Sequence, residues 1–323
     1  MTQPLALIFP GQGSQQIGML RELAERYSVV GTTFEEASAA LGYDLWQVVQ
    51  EGPAEALNAT ACTQPALLTA SVSIWRVWQE LEGPRPVAMA GHSLGEYSAM
   101  VCAGALPFAE GVRLVKLRGE AMQEAVPMGE GAMAAVLGLD DDTIEAACAK
   151  AAEGDVVAAV NYNAPGQVVI AGSKAAVDRA ISACQEAGAK RVMPLPVSVP
   201  SHCDLMRPAA DRLAEAMTSI KLRAPRYTVI QNVDAEAHAD VETLRTRLIE
   251  QLYQPVRWTS CVEALSGLGA EVFIECGPGK VLTGLNKRIA RGSRGLSVND
   301  PDSLTAALEL AREAAGQSPS ANG

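Results

Sequence analysis

The apolar run Val87-Ala88-Met89-Ala90 breaks into Gly91-His92-Ser93-Leu94-Gly95 and continues as a helical stretch from Glu96 through Cys102. Small residues flanking a serine let a strand turn so sharply into a helix that the hydroxyl projects into a cleft. The motif alone is weak, and the alternative is a glycine-rich structural turn; the strand before it and the helix after it are the context that makes Ser93 a nucleophile candidate. A second apolar run, Leu5–Phe9, ends in Pro10-Gly11-Gln12-Gly13-Ser14-Gln15. It reads as a buried strand opening into a tight loop of an α/β sheet.

From about residue 128 the pattern changes. A strand over 133–137, a helix over 140–152, a strand over 156–162, a turn at Asn163-Ala164-Pro165-Gly166, a strand over 168–171, a helix over 174–187 and a strand over 191–195 follow one another. That β-α-β-β-α-β order is the ferredoxin-like unit. The larger sheet resumes afterwards through apolar runs at 227–231 and 272–275. The expected architecture is therefore α/β: an α/β-hydrolase-like large subdomain over 1–127 and 198–310, an inserted ferredoxin-like small subdomain over 128–197, and a disordered tail over 311–323. A length of 323 residues suits two unequal cores.

Asp plus Glu number 37 against 26 Lys plus Arg, a net charge of −11, which argues against nucleic acid or an anionic membrane as partner. The seven cysteines contain no Cys-x-x-Cys for zinc or redox work and read as reduced thiols. No apolar run approaches the roughly 18 residues of a membrane span, and no signal-peptide pattern is present, so a cytoplasmic location is expected.

A serine hydroxyl needs a base, and three histidines are available. His92 adjoins Ser93 and points to the opposite face, as a support for the turn. His238 sits in the acidic loop Asp234-Ala235-Glu236-Ala237-His238-Ala239-Asp240 and reads as solvated. That leaves His202, in Val199-Pro200-Ser201-His202-Cys203, where Cys203 reads as a structural thiol.

The helix expected over about 108–125 places Arg113, Lys116, Glu120 and Gln123 on one side. Arg118 falls on the other, with Leu114, Leu117, Ala121 and Met122. A guanidinium on an apolar face needs an anion, either an internal Glu or Asp or a substrate carboxylate gripped by two parallel hydrogen bonds. Gly11-Gln12-Gly13-Ser14-Gln15 fits neither the dinucleotide fingerprint nor the P-loop. A loop at the end of the first strand is instead where a hydrolase-like fold takes one oxyanion-hole amide, the other coming from the residue after the nucleophile, Leu94.

Gly11-Gln12-Gly13-Ser14-Gln15, Gly91-His92-Ser93-Leu94-Gly95-Glu96-Tyr97, Arg118 with Met122, Asn161-Tyr162-Asn163-Ala164-Pro165-Gly166-Gln167, Pro200-Ser201-His202 and Gly277-Pro278-Gly279 occur in the order seen in malonyl-CoA:acyl carrier protein transacylases. Over about residues 4 to 310 the chain resembles the stand-alone bacterial enzyme of type II fatty acid synthesis. The resemblance implies that Ser93 attacks the malonyl-CoA thioester with His202 as base, and that the amides of Gln12 and Leu94 hold the oxyanion. It also implies that Arg118 grips the malonyl carboxylate and that the thiol of acyl carrier protein takes the acyl group. The third triad position would be the backbone carbonyl of Gln251, so that Gln251→Ala, which keeps that carbonyl, should be tolerated. Met122, Asn161, Arg191, Gln64 and Ser201 are the further substrate-binding positions.

No bound cofactor is expected, the CoA thioester being the substrate, and the chain is expected to act as a monomer. Acyl carrier protein is acidic, so docking needs local positive charge. Residues 276–299 hold Lys280, Lys287, Arg288, Arg291 and Arg294 without an Asp or Glu, and Lys190 with Arg191 add a second basic pair. Lys190, Arg191, Lys287 and Arg288 are the docking candidates, against the plain alternative of a solvated face. Competing readings are a trans-acting malonyl loader for a polyketide synthase, a serine thioesterase or esterase, and an inactive subunit that only binds the carrier protein.

Overall fold

The structure, a computed structural model, describes residues 3–197 and 199–316. Five parallel strands form the main sheet: β1 (Leu5–Phe9), β2 (Ala88–Gly91), β7 (Thr228–Ile230), β8 (Val272–Cys276) and β9 (Arg294–Val298), in the order β7-β2-β1-β8-β9. All five residues of β1 are buried, as a central parallel strand covered on both faces requires. Its alternation sorts the two cores. Leu5, Leu7 and Phe9 pack with the long buried helix Thr60–Glu80, whereas Ala6 and Ile8 face Trp258, Val262 and Leu265.

Between β2 and β7 the chain builds a second, antiparallel sheet from β3 (Gly131–Leu137), β4 (Val157–Ala164), β5 (Gln167–Ser173) and β6 (Arg191–Pro194), ordered β4-β5-β3-β6. The helices Asp141–Ala152 and Lys174–Glu186 cover one face through Ile144, Cys148, Val177 and Cys184. This is the expected ferredoxin-like order. Its other face, through Met133, Val160 and Ala171, packs on Cys203, the neighbour of His202. The small sheet is also tied by main chain to the segment before the helix Trp258–Gly267: Val256 N donates to Val160 O at 2.8 Å and Tyr162 N donates to Val256 O at 2.9 Å.

Three expectations need correction. The edge strand β9 was not foreseen, because Arg294 and Gly295 interrupt its apolar pattern and only Val298 is fully buried. The strand β4 runs to Ala164, leaving only Pro165 and Gly166 to turn, since Ala164 still pairs with Gln167. Residues 311–314 of the expected tail are helical instead: the helix Pro301–Ala314 keeps its apolar stripe through Leu308, Ala311 and Ala314, all buried. Residues 317–323 of that expected tail lie outside the described residues. Among the described residues no helix is long and apolar enough to cross a membrane.

Candidate active site

Ser93 stands between β2 and the helix Leu94–Cys102 with φ 54° and ψ −110°, a conformation few non-glycine residues adopt. The strain is permitted by contacts only glycine allows. A Cβ on Gly91 would lie 1.9 Å from the Gly95 carbonyl, and one on Gly95 would lie 2.0 Å from Phe9 O. The loop after β1 is thereby drawn against the turn, where a Cβ on Gly11 would meet His92 O at 2.6 Å. Among the described residues the amides of Gln12 and Leu94 donate to no protein acceptor in this region.

The His202 ring approaches from the segment leaving the small sheet, itself held at φ 66°. Its Nε2 lies 2.8 Å from Ser93 Oγ, and its Nδ1 lies 2.6 Å from the main-chain oxygen of Gln251. A carbonyl oxygen can only accept, so Nδ1 carries the proton and Nε2 is free to accept the hydroxyl proton of Ser93. Burial, and then the nearby positive Arg118, push the imidazole pKa down to about 3, which keeps the ring neutral.

Arg118 is 1% exposed. Its Nη1 donates to Gln64 Oε1 and its Nη2 to Gln251 Oε1, both at 2.9 Å, and Nη2 reaches Ser93 Oγ at 3.3 Å. The guanidinium also lies over the Tyr97 ring, 5.2 Å from its centroid. Of the two partners the sequence left open, no internal Glu or Asp pairs with it among the described residues; neutral amides hold it instead. Its Nε hydrogen is buried without an acceptor among the described residues. A buried guanidinium so placed can take an anion beside the Ser93 hydroxyl.

Sequence reasoning took Gln251 only for its backbone, and the structure corrects this. Its side-chain Nε2 donates to Ser93 O and to Glu96 Oε2, each at 2.9 Å, while Oε1 accepts from Arg118. Gln251→Ala is therefore not a neutral control. Asn232 was missed as well: its Oδ1 accepts from Ser93 N at 2.8 Å and its Nδ2 donates to Gly91 O at 2.7 Å, bracing the turn from both sides. Glu96 could have been noticed as the one charged residue in the buried helix Leu94–Cys102. Asn232 carries no such signal.

His92 supports the turn by reaching across the two sheets, its Nε2 donating to Asn163 Oδ1 at 2.8 Å. Gln64 Nε2 touches Met122 Sδ at 3.6 Å, so these two candidates and Arg118 form one group. Asn161 lies on β4, with its Oδ1 buried and unpartnered among the described residues. Ser201 Oγ turns back to Val199 O at 3.5 Å, and Cys203 Sγ donates to Pro200 O. His238 pairs with Asp234 at 2.9 Å, away from Ser93. All seven cysteines are free.

Of the docking candidates, Lys190 and Arg288 line one groove of about 490 Å³ together with Gly138, Asp140 and Gly166. Arg288, on the helix Val281–Ile289, reaches the β4–β5 hairpin there, donating to Pro165 O at 2.8 Å and to Gln167 Oε1. Arg191, on the edge strand β6, and Lys287 are exposed and do not line that groove.

Residues 6–307 match the acyl transferase domain family. The chain is 59% identical over 310 residues to the malonyl CoA-acyl carrier protein transacylase of Escherichia coli strain K12, covering 96% of this chain and 100% of the relative. A crystal structure of an acyl carrier protein S-malonyltransferase from Vibrio cholerae superposes with a TM-score of 0.93 at 60% identity, covering 94% of this chain and 99% of the other. A malonyl-transacylase solved in complex with its type II polyketide synthase acyl-carrier protein superposes with a TM-score of 0.94 at 56% identity, covering 95% and 99%.

Proposed function

Because the chain belongs to the acyl transferase domain family, as one of its malonyl-CoA:acyl carrier protein transacylases, we propose that Ser93 carries the malonyl group between the two thiols. The observation that supports this most is the buried Arg118 without an ion-pair partner among the described residues, 3.3 Å from Ser93 Oγ. The enzyme transfers malonyl from CoA to the carrier protein and so supplies malonyl units for fatty acid synthesis.

In the first half-reaction Ser93 Oγ bonds to the thioester carbonyl carbon and its proton passes to His202 Nε2. The tetrahedral oxyanion is met by the amides of Gln12 and Leu94. Collapse breaks the carbon–sulfur bond, and the proton on His202 goes to the departing CoA sulfur. In the second half-reaction the carrier's phosphopantetheine thiol gives its proton to His202 and attacks the ester carbonyl; Ser93 leaves and recovers that proton. The carbonyl of Gln251 holds His202 in the productive tautomer and stabilises the transient imidazolium. A neutral orienter serves where the substrate is a thioester.

Arg118 binds the malonyl carboxylate, with Gln64 and Met122 beside it. The bound carboxylate neutralises the buried cation and helps close the site to water, so that a thiol meets the ester. Asn161, Ser201 and Arg191 are read as more distant substrate contacts, Arg191 toward a CoA phosphate. Lys190, Arg191, Lys287 and Arg288 receive the acidic carrier protein. These steps use only groups of this chain and its two thiol substrates, with no resident cofactor. We infer that one chain suffices for these steps, and the free cysteines suit a cytoplasmic location.

Intact-mass measurement after brief exposure to malonyl-CoA tests the reading. One malonyl adduct that requires Ser93 and moves to the carrier thiol is expected. An adduct lost to water would indicate a thioesterase, and none on folded protein a binding subunit. The likeness to a malonyl-transacylase solved with a type II polyketide synthase carrier favours a second acceptor class. Competition between the two carrier types separates the pathways.

A further inference from the structure

We propose that Glu96 is a positioning residue for malonyl selection, fixing the side-chain amide of Gln251 so that its oxygen faces Arg118. The inference rests on the reading of Arg118 as the clamp for the malonyl carboxylate.

Glu96 is completely buried, and among the described residues no basic side chain pairs with it. It is surrounded by donors. Gln231 Nε2 donates to Oε1 at 3.0 Å, while Asn232 N at 2.8 Å and Gln251 Nε2 at 2.9 Å donate to Oε2. An amide has one accepting end and one donating end, and the surroundings of Gln251 are sorted accordingly. Its nitrogen faces three groups that only accept in these contacts, Glu96 Oε2 and Ser93 O at 2.9 Å and Asn232 Oδ1 at 3.4 Å. Its oxygen faces a group that can only donate, Arg118 Nη2 at 2.9 Å. Inverting the amide would set oxygen against oxygen on one side and N–H against N–H on the other. Glu96 is the one ionisable acceptor of the three, and with Ser93 O it sets which end of Gln251 the guanidinium meets, and so where its remaining hydrogens point.

The same residue bears the carbonyl that holds His202, but that contact is made by the main chain. Loss of the Glu96 oxygen should therefore disturb the clamp more than the nucleophile. Acetyl groups, which carry no carboxylate, report the difference. Gln231 offers a further discrimination: its Oε1 is buried without a partner among the described residues. With Glu96→Gln, the Gln231 amide can invert to accept the new NH2 and leave the remaining oxygen on Gln251. An acceptor at position 96, rather than a charge, is what Gln251 requires.

The test compares malonyl and acetyl loading from their CoA thioesters in Glu96→Met, Glu96→Gln and Arg118→Ala. Glu96→Met should lower malonyl kcat/KM by about 10- to 100-fold, chiefly through KM, and acetyl loading by less than about 3-fold. Glu96→Gln should stay within about 5-fold of wild type for both. Equal loss of malonyl and acetyl loading in Glu96→Met, or Glu96→Gln as impaired as Glu96→Met, would overturn the proposal. If Glu96→Met does not fold, Gln251→Met removes the same link from the other side together with the contact to Ser93 O, so both loadings should fall, malonyl by at least about 10-fold more than acetyl; equal losses there also overturn the proposal. Arg118→Ala separates the two readings: an unchanged malonyl-to-acetyl ratio means that the clamp itself is wrong. A shifted ratio there but not in Glu96→Met means that only the role of Glu96 is.

Discussion

Arg118 Nη2 lies 3.3 Å from Ser93 Oγ, so a buried cation without a carboxylate partner among the described residues touches the hydroxyl that leaves the strained turn. The same cation acts on the base: with burial as the larger cause, it holds His202 in its neutral form. One side chain therefore bears on the nucleophile and on the protonation state of the histidine, besides its proposed part in acyl selection.

Replacing Arg118 with Ala should cost malonyl loading about 3 kcal/mol or more, roughly a hundredfold in kcat/KM, because a buried carboxylate loses its charged partner. Acetyl loading should gain relative to malonyl. Stopped-flow loading with both thioesters measures the ratio, and an unaltered ratio removes the clamp.

The pH profile follows from the depressed histidine. Neutral His202 is the base, so protonation should not inhibit malonyl loading at pH 6.5, the ordinary histidine value, but only as pH falls toward about 3. Arg118→Met should move that acid limb upward, since a neighbouring positive charge that opposes protonation is gone. A wild-type limb near the ordinary value would contradict the burial argument. The sign for stability is the same: a depressed pKa contributes stability above the unfolded value and loses it as pH falls through the folded one.

Glu96 acts in the opposite sense. Burial raises its pKa from 4.5 to about 7 despite three donors, so its contribution is fully present below the unfolded value and is lost as pH rises through about 7. Thermal unfolding of wild type should lose stability across that window, and Glu96→Gln should flatten the slope. Equal slopes in the two proteins would show that Glu96 does not titrate there.

Gly95→Ala should destabilise the fold by about 3 kcal/mol or more and lower Tm by several degrees, because the added Cβ meets the backbone oxygen of Phe9 at 2.0 Å rather than a movable side chain. A variant with wild-type Tm and loading would mean that the turn is looser than its contacts indicate.

Lys190→Glu should raise KM for the carrier protein by about 3- to 10-fold at low salt and leave loading from malonyl-CoA nearly unchanged, the difference shrinking as salt screens the charges. Lys190 is the better probe than Arg288, which also ties β4 and β5 to the helix Val281–Ile289. Equal effects on both half-reactions would remove Lys190 from the docking surface.

Much of the local architecture was legible from periodicity. The all-apolar Leu5–Phe9 marked a buried strand, and the switch at about residue 128 marked a second sheet, because burial on one or both faces leaves its period in the chain; the central place of Leu5–Phe9 in the sheet came from the structure. The arginine on the apolar face of the helix Phe108–Glu124 was legible for the same reason. The strand β9 was not, since an edge strand buries too little to leave a pattern.

The sequence by itself determined the elements, the serine on its turn and the need of Arg118 for an anion, because these depend on neighbours within a few residues of one another. Only the tertiary structure decided that no internal carboxylate among the described residues meets this need, the neutral amides of Gln64 and Gln251 holding the guanidinium in place, that the side chain of Gln251 reaches the site as well as its carbonyl, and that Glu96 and Asn232 stand behind both. The physical reason is distance along the chain. Residues 64, 93, 118, 202, 232 and 251 come from separate elements, and the direction in which a buried amide points is set by which donors and acceptors the fold brings to it.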